Sequence, residues 1–312
     1  MRYATILIII LFISFEAFNQ TRTNICNNPL RESLNALPEI KTNSKWFKVY
    51  RVGDNVLAIV EPYNFEEAIS YLILGKNKAL LFDTGIGVDS ISLVVKQLTK
   101  LPIIVINSHS HYDHIGGNYE FNNILALKTD FTLKHAKEGW NHEAVKHEVT
   151  QDAICLEKLS NFDTANYSIR PYKISRFLAN NDIIDLGDRK IRVISVPGHT
   201  PDAIALLDQS KGYLWTGDTY YDGDIYLFAK ETDLTAYKKS ILKLSKIAPT
   251  LKYIFPSHNN PISKPIRLIE LAKEFSNLKS GNPSIINEED NTLIFKYPYF
   301  GFKIKKGFFK NE

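Results

Sequence analysis

Short apolar runs alternate with turn signals through the first half of the chain. Gly53-Asp54 and Gly75-Lys76-Asn77 separate runs that are each long enough for one β-strand. The predicted strands lie at residues 47–52, 56–60, 69–74, 79–83 and 101–106. Between residues 89 and 98 the apolar positions follow a helical period instead, which predicts one helix before the last strand.

The same pattern recurs in the second half. Strand-length apolar runs lie at residues 183–186, 191–196, 203–207, 213–216 and 253–255. Helical periodicity predicts helices over residues 235–247 and 265–278. Because each strand-rich half has helices of its own, the pattern predicts an α/β protein with two sheets packed face to face and helices outside them.

Two further segments complete the predicted organisation. Residues 130–180 are rich in aromatic residues and are predicted to form a mostly helical insert, while residues 292–304 are predicted to form one aromatic strand. No low-complexity linker is visible. The simplest division is one domain over residues 46–290, followed by the strand and a basic tail at 291–312.

The N-terminus carries an apolar run that starts behind Met1-Arg2 and stops at Glu16. This run is shorter than the roughly 20 residues that span a bilayer, and it fits the hydrophobic region of a signal peptide. Residues 1–20 are therefore predicted to be a signal peptide, with residues 21–45 as a loose leader. We expect an exported protein, periplasmic or secreted, with no stable membrane span after cleavage.

Composition narrows the function classes. The 312 residues are 44% hydrophobic, which excludes a disordered chain, and the net charge of +4 is too weak to indicate a nucleic-acid partner. The two cysteines, Cys26 and Cys155, cannot build a cysteine-rich metal site, and in an oxidising compartment they either pair or remain two inert thiols. Any metal must be bound by nitrogen and oxygen, so the eight histidines become the candidates.

A dense group of candidate ligands follows the predicted strand at 101–106. His109 and His111 alternate along extended backbone, so their side chains point to the same side and can bind one ion. Asp113 and His114 come one turn later and can face a second ion. Imidazole and carboxylate are ligands that zinc favours, with one position left for water in catalytic sites.

Three more candidates follow strands in the second half. His199, Asp218 and His258 each lie in a turn that contains Gly or Pro, directly beyond a predicted strand. Such turns can converge on one edge of the sheets, where binding residues are commonly found. Three His and one Asp within six residues, with three matching turns downstream, make unrelated surface histidines a poor explanation.

The order and spacing of these residues resemble the metallo-β-lactamase superfamily. The matching pieces are Phe82-Asp83-Thr84-Gly85, the HxHxDHxGG run at 109–117, Gly198-His199, Gly217-Asp218 and His258. The resemblance covers residues 46–265. It implies a four-layer αββα sandwich with two zinc ions at the edge of the sheets.

The resemblance also implies a role for each ligand. The first zinc would be bound by His109, His111 and His199, and the second by Asp113, His114 and His258, with Asp218 bridging the two. Asp83 would orient a ligating side chain by hydrogen bonding. A hydroxide shared by two zinc ions can attack a carbonyl carbon or a phosphorus, and Asp113 would hydrogen-bond this nucleophile and move its proton.

The substrate is bounded less tightly. The ligand set is similar to those of glyoxalase II-type thioesterases and acyl-homoserine lactonases, whereas the bridging Asp218 argues against β-lactamases. Asp202-Ala203 stands where lactonases usually have Gly-His, which puts lactone specificity in doubt. The leading expectation is an exported dizinc hydrolase that acts on a small-molecule lactone, ester or related carboxylic derivative. The alternatives are β-lactam hydrolysis and then a thioesterase or phosphodiesterase.

The remaining candidates have a weaker basis. Tyr221 lies three residues after Asp218, the spacing at which lactonases place a tyrosine that donates to the substrate carbonyl, and simple packing is an equal alternative. His135, His142 and His147 are expected to be surface or lid residues of the insert. The pattern predicts no particular oligomer.

Overall fold

The computed structural model describes residues 25–278, 284–287 and 291–309. The predicted signal peptide, residues 21–24 and the last residues of the basic tail lie outside this range. In chain order the strands β1 to β17 are Glu39–Ile40, Lys48–Gly53, Val56–Val60, Ile69–Leu74, Ala79–Phe82, Ile103–Ile106, Ile124–Leu127, Arg176–Leu178, Ile183–Asp185, Lys190–Ser195, Ile204–Asp208, Tyr213–Gly217, Gly223–Leu227, Tyr253–Pro256, Ile285–Asn287, Thr292–Lys296 and Phe300–Lys305.

The helices show no membrane span. Helices α1 to α7 are Glu32–Asn35, Ile91–Leu98, Tyr112–Ile115, Asp130–Glu138, His142–Val145, Leu234–Ile247 and Ile266–Ser276. Within the described residues, none of them has the length and apolar character needed to cross a membrane.

The first sheet has eight strands in the order β1 to β8. Strands β1 to β5 are antiparallel neighbours, whereas β5 to β8 run parallel, and α2 makes the crossover between β5 and β6. Every residue of Val56–Val60 is buried, since this strand lies inside the sheet and both of its faces are covered. The outer face of the sheet packs against the apolar side of α2, including Ile91, Val94 and Val95.

The second sheet has five strands in the order β14-β12-β11-β10-β9 and packs on the inner face of the first. Aromatic residues join the two sheets, and the rings of Tyr71 from β4 and Phe255 from β14 have centroids 5.6 Å apart. Helices α6 and α7 cover the outer face, with Tyr237 and Leu268 in its core. Helices, two sheets and helices form the predicted αββα arrangement.

A third, smaller sheet differs from the prediction at the C-terminus. The single aromatic strand predicted at 292–304 is a hairpin in which β16 and β17 are antiparallel, and Pro298 lies in the turn between them. Strand β17 also pairs in parallel with β13, which the sequence pattern did not predict. Phe302 packs against Phe275 of α7 with ring centroids 5.1 Å apart, so this sheet shares the core of the second half.

The insert is also less helical than predicted. Helices cover Asp130–Glu138 and His142–Val145, followed by short 3-10 turns, and Arg176–Leu178 joins the first sheet as its edge strand. The prediction of a surface position was wrong for His135, which is buried with its ring stacked on Trp140 at a centroid distance of 3.9 Å. His147 is exposed and His142 is half-buried.

The described part of the segment predicted as a loose leader, from residue 25, contains regular structure. Strand β1 pairs with β2, and Leu34 of α1 is buried against the core between the two main sheets. A disulfide joins Cys26 to Cys155, so of the two predicted alternatives the cysteines adopt the paired one. The pairing of β1 with β2 and the burial of Leu34 were not predicted.

Candidate metal centre

All seven predicted ligands meet at one edge of the two main sheets. His109 and His111 directly follow β6, and the short helix α3 carries Asp113 and His114. Three more ligands lie just beyond other strands: His199 after β10, Asp218 after β12 and His258 after β14. The side chains form two groups: a first group of His109, His111 and His199, and a second group of Asp113, His114, Asp218 and His258. Within each group the ligand atoms lie within 4.8 Å of one another.

In the first group three ring nitrogens face a common point. Nδ1 of His111 lies 3.0 Å from Nε2 of His109 and 3.0 Å from Nε2 of His199. Neutral imidazole nitrogens that converge in this way offer lone pairs to a shared cation. The chemistry of this donor set fits zinc.

Asp218 connects the first group to the second. Its Oδ2 lies 3.7 Å from Nε2 of His199 and 3.2 Å from Nε2 of His258. Its Oδ1 is buried, lies 3.4 Å from Nε2 of His114 and accepts no hydrogen bond from any described residue. A buried carboxylate oxygen without a hydrogen bond is costly, and a bound cation would satisfy it. The carboxylate therefore lies within reach of both ligand groups.

Asp113 completes the second group. Its Oδ2 lies 3.0 Å from Nε2 of His114 and 3.3 Å from Nε2 of His258. Although burial opposes it, the charges on His114 and His258 hold the pKa of Asp113 well below its usual range. The carboxylate is therefore ionised, as a metal ligand must be.

The outward nitrogen of each histidine is held by an oxygen atom. These contacts are His109 Nδ1 to Ser108 Oγ at 2.9 Å, His111 Nε2 to Glu231 Oε1 at 2.7 Å, His114 Nδ1 to Asp83 Oδ2 at 3.0 Å, His199 Nδ1 to the Tyr226 carbonyl at 2.8 Å and His258 Nδ1 to the Glu66 carbonyl at 2.7 Å. Carbonyl and carboxylate oxygens only accept, so the outward nitrogens that face them carry the proton. The inward nitrogens are then free to bind metal.

Among the residues that hold the outward histidine nitrogens, Asp83 accepts three hydrogen bonds. It is buried and accepts hydrogen bonds from the Ser108 backbone N–H at 2.6 Å, from Nδ1 of His114 at 3.0 Å and from the Ser257 hydroxyl at 2.9 Å. Its φ of 66° lies in the left-handed region, which Asp tolerates better than most residues. The contact with His114 places Asp83 where it could orient that ring, and this role stays a prediction.

Burial and neighbouring charge set the protonation of the two groups. Burial, together with the nearby His111, lowers the pKa of His199 to about 4. Burial also lowers the pKa of His109 well below its usual value. Against the effect of burial, Asp218 and Asp113 raise the pKa of His258. A proton and a metal ion therefore compete for the second group, so metal binding should release protons.

A cavity of about 190 Å³ opens beside the ligands. Its lining residues are Glu66, His111, Tyr112, Asp113, Trp140, His199, Asp218, Tyr221, Tyr226, Phe228, Ala229 and Glu231. Apart from the candidate ligands and Ala229, the wall is aromatic or acidic, and none of these lining residues is Lys or Arg. The cavity therefore offers mainly aromatic surface next to the candidate metal centre.

Tyr221 lies in this cavity wall, with its ring centroid 5.0 Å from that of His258. Its hydroxyl donates to the Asp224 carbonyl at 2.6 Å. To donate to a substrate instead, the hydroxyl has to leave that carbonyl. Its role toward the substrate therefore stays a prediction.

Comparison with known proteins identifies the family. The metallo-beta-lactamase superfamily profile matches residues 66–258. The chain belongs to the metallo-β-lactamase superfamily. Solved structures with this fold include a metallo-beta-lactamase from Pontibacter korlensis, with a TM-score of 0.55 and 17% identity over 74% of this chain and 100% of that one. The sec-alkylsulfatase Pisa1 from Pseudomonas sp. aligns with a TM-score of 0.58 and 14% identity over 78% of this chain and 46% of that one.

Sequence relatives indicate the kind of enzyme. The chain is similar to the acyl-coenzyme A thioesterase MBLAC2 of Gallus gallus, with 25% identity over 244 residues that cover 74% of this chain and 87% of the relative. It is also similar to a hydroxyacylglutathione hydrolase of Francisella philomiragia, with 25% identity over 61% of this chain and 62% of that one. This superfamily member is a hydrolase with a metal-binding His/Asp site.

Two cavity residues were missed by sequence reasoning. Glu231 lies in the turn before α6 and contacts His111, and Glu66 lies just before β4. Neither belongs to a motif, and each is far in sequence from the ligands it approaches. Only the folded chain brings them to the metal centre.

Proposed function

We propose that this hydrolase uses two zinc ions to cleave thioesters and esters with an uncharged acyl group. The reach of Asp218 to both histidine groups, at 3.7 Å from His199 and 3.2 Å from His258, carries the proposal of two ions. When bound, such a zinc pair supplies a hydroxide nucleophile at neutral pH and neutralises the charge that develops on the carbonyl oxygen.

The chain's own residues account for positioning and proton transfer. The three histidines of the first group and the four residues of the second would hold the ions, with Asp218 shared. Asp113 lines the cavity and is ionised, so it can accept a hydrogen bond from the attacking water and take its proton at a carboxylate oxygen. The same carboxyl can then return that proton to the departing thiolate or alkoxide.

The cavity supports a substrate with an uncharged acyl group. Trp140, Tyr112 and Phe228 provide apolar surface beside the ligands, and the carboxylate of Glu231 adds negative charge to the wall. Burial and the nearby Asp113 raise the pKa of Glu66 well above its usual value, so this side chain adds little charge. Bound zinc would attract an anion at the scissile bond, so this wall acts on the acyl chain beyond it. There an apolar group packs against the aromatic residues, whereas a carboxylate would meet the charge of Glu231.

The relatives support a thioester bond in particular. The two enzymes described above are named as a thioesterase and as a hydroxyacylglutathione hydrolase, and the first is matched over 87% of its length. The structures with less than 25% identity share the fold alone, so they do not favour β-lactams. Lactones and simple esters stay in the proposal because the same attack on a carbonyl carbon opens them.

Export is a further part of the proposal. The apolar run behind Met1-Arg2 supports a signal peptide, and the Cys26–Cys155 disulfide supports an oxidising compartment because such bonds are rare in the cytosol. Expression of the full chain followed by cell fractionation tests it. Shortened protein outside the cytoplasm is expected, and full-length protein confined to the cytoplasm would contradict it.

A substrate panel tests the chemistry. Protein from residue 21 onward is loaded with zinc and assayed on an aliphatic thioester, an aryl ester, a γ-lactone, a chromogenic cephalosporin and a bis-aryl phosphodiester. We expect the thioester and ester to be cleaved fastest, with activity lost to a chelator and restored by zinc. Rapid cephalosporin or phosphodiester turnover with inert acyl substrates would overturn the proposal.

A further inference from the structure

Glu231 differs from the other groups that hold the outward nitrogens of the ligating histidines. His199 and His258 face backbone carbonyls, and His114 faces the buried Asp83. His111 instead faces a carboxylate that lines the substrate cavity, with Glu231 Oε1 2.7 Å from Nε2. The side chains of His111 and Glu231 are 14% and 20% exposed, whereas those of His114 and Asp83 are 1% and 2% exposed.

The turn that carries Glu231 is anchored to another ligand loop. The Thr232 hydroxyl donates to the His199 carbonyl at 3.1 Å, and the Asp233 backbone N–H donates to the Gly198 carbonyl at 2.8 Å. Asp233 also caps α6 through the Ala236 N–H at 2.9 Å. The turn that carries Glu231 is therefore held by the loop of His199, while the Glu231 carboxylate contacts His111.

We propose that Glu231 is a positioning residue for the first metal group. Its carboxylate holds the proton of His111 on Nε2, and this tautomer leaves Nδ1 free to face Nε2 of both His109 and His199. It also fixes the plane of a ligand ring that borders the cavity. The inference rests on the two-zinc centre proposed above, and it does not depend on which acyl substrate is cleaved.

Charge strengthens the arrangement. A carboxyl that accepts a hydrogen bond from an imidazole N–H is favoured in its ionised form, and Oε1 of Glu231 lies 2.7 Å from Nε2 of His111. An ionised partner raises the basicity of a ligating imidazole, and loss of such a partner typically costs about 10–100-fold in metal affinity. Among the seven candidate ligands Glu231 contacts His111, which belongs to the first group. We therefore expect the loss of affinity to fall on one of the two zinc ions.

Two variants separate geometry from charge. Glu231→Ala removes the contact, whereas Glu231→Gln keeps an oxygen that can accept from Nε2 but removes the negative charge. Glu138→Gln is a matched control, because it removes one exposed carboxylate on α4. Zinc stoichiometry and affinity are measured by competition with a chromogenic chelator, and the absorption spectrum of the cobalt-loaded protein reports on ligand geometry.

We expect Glu231→Ala to weaken one zinc by about 10–100-fold and to alter the cobalt spectrum, with a smaller loss in Glu231→Gln and none in the control. Histidine nitrogen NMR of the metal-free protein should show His111 losing its preference for a proton on Nε2 in the Ala variant. Two zinc ions bound with unchanged affinity in Glu231→Ala would overturn the inference. If the unmodified chain itself binds fewer than two zinc ions, it is the two-zinc proposal that fails.

Discussion

The two ligand groups are supported in different ways. The second group sits in the protein interior, where Asp83 ties His114 to the ends of β6 and β14 through Ser108 and Ser257. Both groups border the cavity, but in the first group the cavity is lined by two histidines, and one of them, His111, depends on a carboxylate from a surface turn. We expect the interior support of the second group to set the stability of the centre, and the cavity side, where His111 lies, to couple substrate binding to metal binding.

Asp218 is the link between these groups, so its loss should have the largest effect. Asp218→Asn keeps the size of the side chain but offers no charged oxygen to either group. We expect kcat/KM to fall by about 1000-fold, which is about 4 kcal/mol of transition-state stabilisation. Zinc content should fall below two ions per chain. Two tightly bound ions and normal turnover in this variant would show that the groups work independently.

The interior support predicts a loss of stability at Asp83. Asp83→Ala leaves three donors without their acceptor and places Ala at a φ of 66°. At about 1 kcal/mol or more for each unsatisfied donor, the free energy of unfolding should fall by about 3 kcal/mol in the metal-free protein. Urea unfolding measures it. Asn tolerates this backbone conformation and keeps one acceptor oxygen, so Asp83→Asn should lose less stability than Asp83→Ala. If the two variants have the same free energy of unfolding, the interior role is refuted.

A buried acid beneath the interior group predicts a dependence on pH. Glu61 accepts hydrogen bonds from the Trp46 indole at 2.8 Å and from the Ile86 N–H at 3.0 Å, close to the loop that carries Asp83. Burial raises its pKa from 4.5 to about 8.

Between these two pH values the folded chain binds a proton at Glu61 that the unfolded chain has released. The free energy of unfolding should therefore decrease as the pH rises from 5 to 8, by at most about 1.4 kcal/mol for each pH unit. Glu61→Gln removes this titration and should flatten the curve, which urea unfolding across the pH range measures. Parallel curves for the two proteins would contradict it.

The smallest predicted effect lies on the cavity side, at Tyr221. Tyr221→Phe keeps the ring beside His258 and removes the hydroxyl that now donates to the Asp224 carbonyl. If the hydroxyl turns to the substrate in the transition state, kcat should fall by about tenfold with little change in KM. Steady-state kinetics on the substrate that is cleaved fastest measure this effect. An unchanged kcat would show that Tyr221 serves only in packing.

Local signals were enough to predict the strands near the site. Strands β3 and β4 begin and end where the apolar runs at 56–60 and 69–74 do, because turn residues bound each run. The convergence of the seven candidate ligands could be predicted for a similar reason, since each lies in a short motif that comes after a strand. In these places sequence neighbours are also structural neighbours.

Long-range pairing explains what was not predicted. Strand β13 is short, begins at Gly223 and gains its hydrogen bonds from β17, far along the chain. His135 reads as a polar residue on an exposed helix, yet it is buried because Trp140 folds back over its ring. Glu231 carries no motif, and its contact with His111 exists only once α6 and β6 are packed in one fold.

The Cys26–Cys155 disulfide gives the chain a covalent topology of its own. It closes a ring that contains strands β1 to β7 and the four ligands at 109–114, whereas His199, Asp218 and His258 lie outside the ring. A single cut inside the ring leaves one connected molecule until the disulfide is reduced. The metal centre is thus shared between a closed loop and an open chain, and its seven ligands come together only when the two have folded against each other.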